Sequence, residues 1–96
     1  MTAEISFGSR LRTPDDVLVS QLDGESVLLK LQSECYFGLD EIGTRMWQLL
    51  VSADSVQSAY DTLLSEYEVE PDALREHLGD LVADLLRQGL VEIAPR

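Results

Sequence analysis

The chain has 96 residues, with 7 basic and 18 acidic side chains (7 − 18 = −11), one cysteine and one histidine. That length buries a single core without staples and leaves no room for a second lobe or a conventional enzyme cleft. Cys35 alone excludes an internal disulfide and stands far from His77, so no metal-ligand spacing exists, and the acidic field argues against nucleic acid as a ligand.

Residues 1–16 are polar, contain Gly8 and Pro14 and show no periodicity, which predicts a flexible arm that orders only on a partner. Residues 17–22 and 27–31 are β-branched and leucine-rich runs around Asp23-Gly24, the dipeptide best suited to a tight hairpin. Gln32-Ser33-Glu34 makes a second reversal into residues 35–39, giving a three-stranded antiparallel meander whose outer strands are edges. Asp40 then caps a helix carrying Ile42, Met46, Trp47, Leu49 and Leu50 and ending near Val51. Asp54, with Gln57 three residues on, predicts the start of a second helix with Val56, Ala59, Tyr60, Leu63, Leu64 and Tyr67 on one side. Pro71 suits the first turn of a third, with Leu74, Leu78, Leu81, Val82, Leu85 and Leu86 as its stripe and Gly89 as its stop. Residues 90–93 add a short strand. The sum is an α+β domain over 17–93, winged helix-turn-helix-like, with a three-stranded antiparallel sheet followed by three α-helices.

That scaffold is often used on DNA, but a DNA reader needs a basic helix. The third helix here carries Asp72, Glu76, Asp80 and Asp84 against Arg75 and Arg87. The charge is also uneven: residues 1–30 hold five acids and three bases (−2), and residues 31–96 hold thirteen and four (−9). Basic or neutral partners are favoured. No apolar run is long enough to span a bilayer and the N-terminus lacks a signal-peptide core, so a soluble protein of the reducing cytoplasm is expected.

Catalysis has little to work with. Cys35 lies between Glu34 and Tyr36 in a strand, where a lone thiol is usually a small packing residue, and His77 sits at the margin of a helical stripe. No triad, catalytic residue, metal site or cofactor site is predicted. Asp54-Ser55-Val56 is similar to the Asp-Ser-Leu attachment site of acyl carrier proteins, which makes a carrier modified at Ser55 the alternative from a different class. The match is three residues long, the hairpin is wrong for a four-helix carrier, and a helix start explains Ser55 equally well.

Two elements remain for binding. Glu76, Asp80 and Asp84 line one side of the third helix; Glu76 reads as solvated, whereas Asp80 and Asp84 flank the leucine stripe beside His77, Leu81 and Gln88 and border a groove. The strand 35–39 is the sharper feature. Proteins usually blunt an edge strand with charge or proline, and this one has neither. Gly38 allows another backbone close, while Tyr36 and Phe37 point to opposite faces, as suits addition of a guest strand. The competing reading makes Phe37 and Leu39 ordinary core and covers the edge with the arm or with residues 90–93.

Tyr36-Phe37-Gly38-Leu39-Asp40-Glu41-Ile42-Gly43 with Trp47-Gln48-Leu49-Leu50, then Leu81, Leu85 and Gly89-Leu90-Val91, resembles the PqqD-like family of precursor-peptide recognition elements over residues 17–93. The resemblance implies a domain that adds the leader of a ribosomally made peptide to its third strand and packs it against its third helix. Cys35, Tyr36, Phe37 and Gly38 would then supply the pairing edge, and Leu74, His77, Leu78, Leu81, Asp84 and Leu85 the facing wall. The stand-alone form looks most like the leader-binding subunit of lasso-peptide biosynthesis, which implies a separate cysteine protease as leader peptidase and an ATP-dependent cyclase as partners. The alternative within the family is the peptide chaperone of pyrroloquinoline quinone assembly, serving a radical enzyme.

Overall fold

In the computed structural model, which describes residues 7–94, the chain forms β1 (Arg10–Arg12), β2 (Val17–Leu22), β3 (Glu25–Lys30), β4 (Cys35–Leu39), α1 (Glu41–Ser52), α2 (Val56–Glu66), α3 (Pro71–Arg87) and β5 (Glu92–Ala94). The predicted hairpin is present: Asp23 (φ 54°) and Gly24 (φ 83°) both occupy the left-handed region, the geometry whose twist matches that of the flanking strands. Glu34 (φ 57°) performs the second reversal. The sheet runs β2-β3-β4, antiparallel throughout, in the register Val17↔Lys30↔Cys35 to Ser26↔Leu39.

Alternation along these strands divides the sheet into two faces. Val17, Leu28 and Leu39 are buried on the inner face, where α1 lies across β3 and β4. Leu50, Val56, Leu63, Leu78, Val82 and Leu85 close the core from the helices. A buried hydroxyl pair fastens sheet to helix: Ser26 Oγ lies 2.7 Å from Thr44 Oγ1, which also stands 3.4 Å from the carbonyl oxygen of Leu39. Thr44 donating to Leu39 and Ser26 donating to Thr44 gives each hydroxyl a partner. Trp47 is buried for its ring, since its indole N–H meets no acceptor among the described residues.

The chain before β2 differs from the flexible arm that its composition predicts. Residues 10–12 pair with β5 as a second, two-stranded sheet, and Leu11 is fully buried in the common core. The polar composition hid a single anchoring leucine, whose partner strand arrives from the far end of the sequence. Residues 1–6 of the expected arm lie outside the described residues. The carbonyls of Phe7 and Ser9 accept from the N–H groups of Gln57 and Val56, satisfying donors at the start of α2 that a helix leaves unpaired. The Arg75 guanidinium stacks 3.9 Å from the Phe7 ring centre, and Phe7 meets Tyr60 edge-on. The cap of α2 is Ser55, whose Oγ accepts from Ser58 N–H, rather than Asp54. The closing strand lies slightly later than residues 90–93, at Glu92–Ala94, after Leu90 and Val91 turn into the core.

Arg45 of α1 and Glu66 of α2 form a two-pronged ion pair on the surface. Hydrogen bonding to Arg45 holds the Glu66 carboxyl below its ordinary range, and Glu66 raises the guanidinium in turn. A depressed carboxyl contributes stability above its unfolded-state pKa and loses it as pH falls through the lower folded-state value. Glu66→Gln should therefore flatten the acid limb of a stability–pH profile slightly, as chemical denaturation across the acid range would show. The buried hydroxyls carry more weight. Thr44→Val should cost about 1–3 kcal/mol by stranding the Ser26 hydroxyl, and Thr44→Val combined with Ser26→Ala should cost less than the sum of the single changes in urea unfolding.

Candidate functional site

β4 closes one side of the sheet, and no described strand pairs with its outer edge; β5 and residues 10–12 pair with each other instead. The direction of its backbone follows from the hairpin. A two-residue loop is closed by a hydrogen-bonded pair, here Leu22 and Glu25, so the backbone groups of Glu25, Val27 and Leu29 face β2 and those of Ser26, Leu28 and Lys30 face β4. Cys35, Phe37 and Leu39 answer them across the β3–β4 register. The N–H and C=O groups of Tyr36 and Gly38 consequently point away from the sheet. This edge carries no charge and no proline.

Beside it runs an apolar trough made of two cavities. The first, about 500 Å³, is lined by Phe37, Gly38 and Leu39 from the strand, by Ile42 and Met46 from α1 and by Leu81 from α3. The second, about 290 Å³, shares Ile42 and Met46 and continues between Tyr67 and Val69 on one side and Ala73, Leu74 and His77 on the other. Ile42 and Met46 stand one helical turn apart and form the floor common to both. Ile42 is 52 % exposed and presents apolar surface to both cavities.

The helix start sets this floor in place. Asp40 Oδ1 accepts the N–H of Gly43 at 2.7 Å, and Glu41 complements the positive end of the helix. A side chain at Gly43 would crowd this cap, since an added Cβ would stand 3.2 Å from Asp40 Oδ1 and 3.3 Å from Leu39 Cδ2. Gly38 differs: a Cβ there would meet nothing within 4 Å. Internal packing thus does not explain the glycine in the edge strand.

The rotation of α3 sorts the wall residues inferred from the sequence. His77 is exposed on the second cavity, Leu81 is half-buried on the first, and Leu74 is buried but forms part of the second cavity's lining. Leu78 and Leu85 are corrected to core positions: both are fully buried, one step round the helix from His77 and Asp84, and present no surface to a guest. Asp84 is half-buried on α3, pairs with Arg87 one turn later and lines neither cavity. Along β4, Cys35 and Tyr36 are exposed, with Cys35 Sγ 3.6 Å from the Ser33 carbonyl oxygen. Phe37 is half-buried at the mouth of the trough. Ile42, Met46, Val69 and Ala73 were not anticipated as site residues. Periodicity places Ile42 and Met46 on the apolar side of α1 but not at a gap between elements. Ser55 has its cap and a 3.2 Å contact from its hydroxyl to Ser58 Oγ, which account for it structurally.

Comparison with known proteins points in one direction. Residues 25–91 match the family described as coenzyme PQQ synthesis protein D (PqqD). Two solved structures are similar along nearly their whole length. TbiB1 in complex with the TbiA(beta) leader peptide is 33 % identical at a TM-score of 0.79, covering 88 % of this chain and 99 % of that one. A lasso peptide synthetase B1 complexed with the leader peptide is 29 % identical at 0.77, covering 86 % and 98 %. A search of curated proteins finds no match.

Because Asp40 ends the edge strand and starts the trough helix, Asp40→Ala should lower stability by about 1 kcal/mol in urea unfolding. The same change should increase amide exchange at Ile42 and Gly43 more than within α3.

Proposed function

The chain belongs to the PqqD family, and from that premise we propose that it is a non-catalytic leader-peptide-binding protein that captures a ribosomally synthesised precursor by β-strand addition and delivers it to a leader peptidase in lasso-peptide biosynthesis. The observation that carries this reading is the unpaired, uncharged outer edge of β4 lying directly beside an apolar trough. Main-chain hydrogen bonds at Tyr36 and Gly38 give affinity for any extended segment, and the trough around Ile42, Met46 and Leu81 selects one with apolar anchors. Both similar structures hold a leader peptide, and one is a lasso peptide synthetase B1, which favours the lasso system.

Catalysis in this scheme belongs to the partners, a separate cysteine protease and an ATP-dependent cyclase acting downstream in the cytoplasm, with no cofactor on this chain. Binding the leader raises the effective concentration of precursor at the protease. Among the described residues no helix is long and apolar enough to cross a membrane. The family description supports a second reading, a peptide chaperone for a radical enzyme in pyrroloquinoline quinone assembly. Which enzyme gains activity on the precursor when this chain is added separates the two.

The edge is tested at Gly38, where there is room for a larger residue. Gly38→Ala keeps the outward N–H and should bind a fluorescent leader peptide like the parent. Gly38→Pro removes that donor and should weaken binding about tenfold, the scale of one lost hydrogen bond left without a partner. Equal anisotropy titrations for parent and proline variant, with circular dichroism unchanged, would exclude strand addition at β4. Ile42→Ser tests the trough and should reduce affinity with little effect on stability.

A further inference from the structure

Ala73, Leu74, His77 and Leu81 make α3 one wall of the trough, and Ile42 and Met46 of α1 are its floor. α2 packs against both helices, while the backbones of α1 and α3 scarcely approach one another. The width of the gap is therefore set by what holds α3 from its other side, rather than by direct packing of wall on floor.

Residues 7–12 hold it at both ends. The carbonyls of Phe7 and Ser9 accept from Gln57 N–H at 2.7 Å and Val56 N–H at 2.9 Å, which fastens the segment to the start of α2. From that anchorage the Phe7 ring meets Tyr60 edge-on, with ring centres 5.9 Å apart and planes 74° apart, and its face lies 3.9 Å from the Arg75 guanidinium. Arg75 also stands 5.9 Å from the Tyr60 ring, and the Tyr60 hydroxyl donates to the Pro71 carbonyl at 3.0 Å. Arg75 is two residues from both Ala73 and His77, about 200° round the helix, so this contact grips α3 from the side away from the wall. Arg12, Lys30, Arg45 and Arg87 pair with carboxylates, whereas Arg75 is given to an aromatic face in a chain of −11. Further on, Arg10–Arg12 pairs with Glu92–Ala94, the strand that follows α3, and the buried Leu11 plants that pair in the core. Phe7 lines neither cavity.

We propose that residues 7–12 act as a strap that sets the width of the trough, with Phe7 as a positioning residue that holds the wall at Ala73 and His77 through Arg75. That a guest reads this width rests on the leader-binding reading above; the strap's hold on α3 does not.

Amide hydrogen exchange of the full chain tests the hold without a guest. Phe7→Leu keeps an apolar side chain and loses the ring, and Arg75→Gln removes the stacked cation while keeping Phe7. Each should speed exchange about fivefold at residues 74–78, the scale of one cation–π contact, with β4 at parent rates. Phe7→Tyr keeps the ring and should restore parent rates. Anisotropy titration of a fluorescent leader peptide then tests the trough. Phe7→Leu and Arg75→Gln should each weaken binding about threefold, and Phe7→Leu added to Ile42→Ser should weaken it no further, because the trough is already spoiled. Exchange that is unchanged at residues 74–78, or that rises equally in β4, would overturn the strap, since Phe7 would then serve overall stability at most. So would a looser α3 with leader affinity at the parent value in both variants. A parent chain that binds no leader, with faster exchange confined to α3 in the variants, would uphold the strap and sink the leader-binding reading alone.

Discussion

The peptide bond between Leu39 and Asp40 joins the open edge of the sheet to the floor of the trough, and the other features of the site depend on that junction being stiff. Leu39 is buried in the core, and Asp40 turns at once into the cap of α1. The Ser26–Thr44 hydroxyl pair ties the middle strand to the first turn of the same helix. The edge of β4 therefore stands at a fixed offset from Ile42 and Met46, with no hinge between the strand and the floor of the trough. Under the proposed strand addition, that fixed offset would supply the selectivity that main-chain pairing lacks, because main-chain pairing alone recognises any extended segment.

Period-two geometry lets four residues of β4 serve three surfaces. Phe37 and Leu39 look inward, Tyr36 and Gly38 look outward, and the backbone groups of the outward pair also form the free edge. The phase of this arrangement is set remotely, at Asp23-Gly24, since the two-residue turn decides which residues of β3, and hence of β4, direct their hydrogen bonds toward each other.

Much of this was legible in the primary structure because it rests on local chemistry. Asp23-Gly24 allows the left-handed turn, Asp40 offers the cap, and Pro71 and Gly89 bracket α3. The order of the meander made β4 an outer strand, and its lack of charge or proline marked that edge as unblunted. The wall was read less well. Leu78 and Leu85 share a leucine stripe with Leu74 and Leu81, and a stripe wider than the groove cannot say which of its members face the gap. Ile42 and Met46 pattern as core, and only the packing of the helices leaves Ile42 exposed while Met46 is buried beneath the trough. The N-terminal segment was misread because a three-residue strand with one buried leucine leaves almost no periodic trace.

Element order, the hairpin, the capped helices and the uncharged outer strands of the sheet could be read from the primary structure alone, since each follows from interactions spanning a few residues. Tertiary structure alone decided that β5 closes on β1 and leaves β4 open, and it set the rotation of α3 against α1. Among the described residues it also left Leu18, Val27 and Tyr36 exposed on the outer face of the sheet. These outcomes depend on contacts between residues distant in the chain, where the winner is whichever arrangement buries the most apolar surface, and no local pattern encodes that comparison.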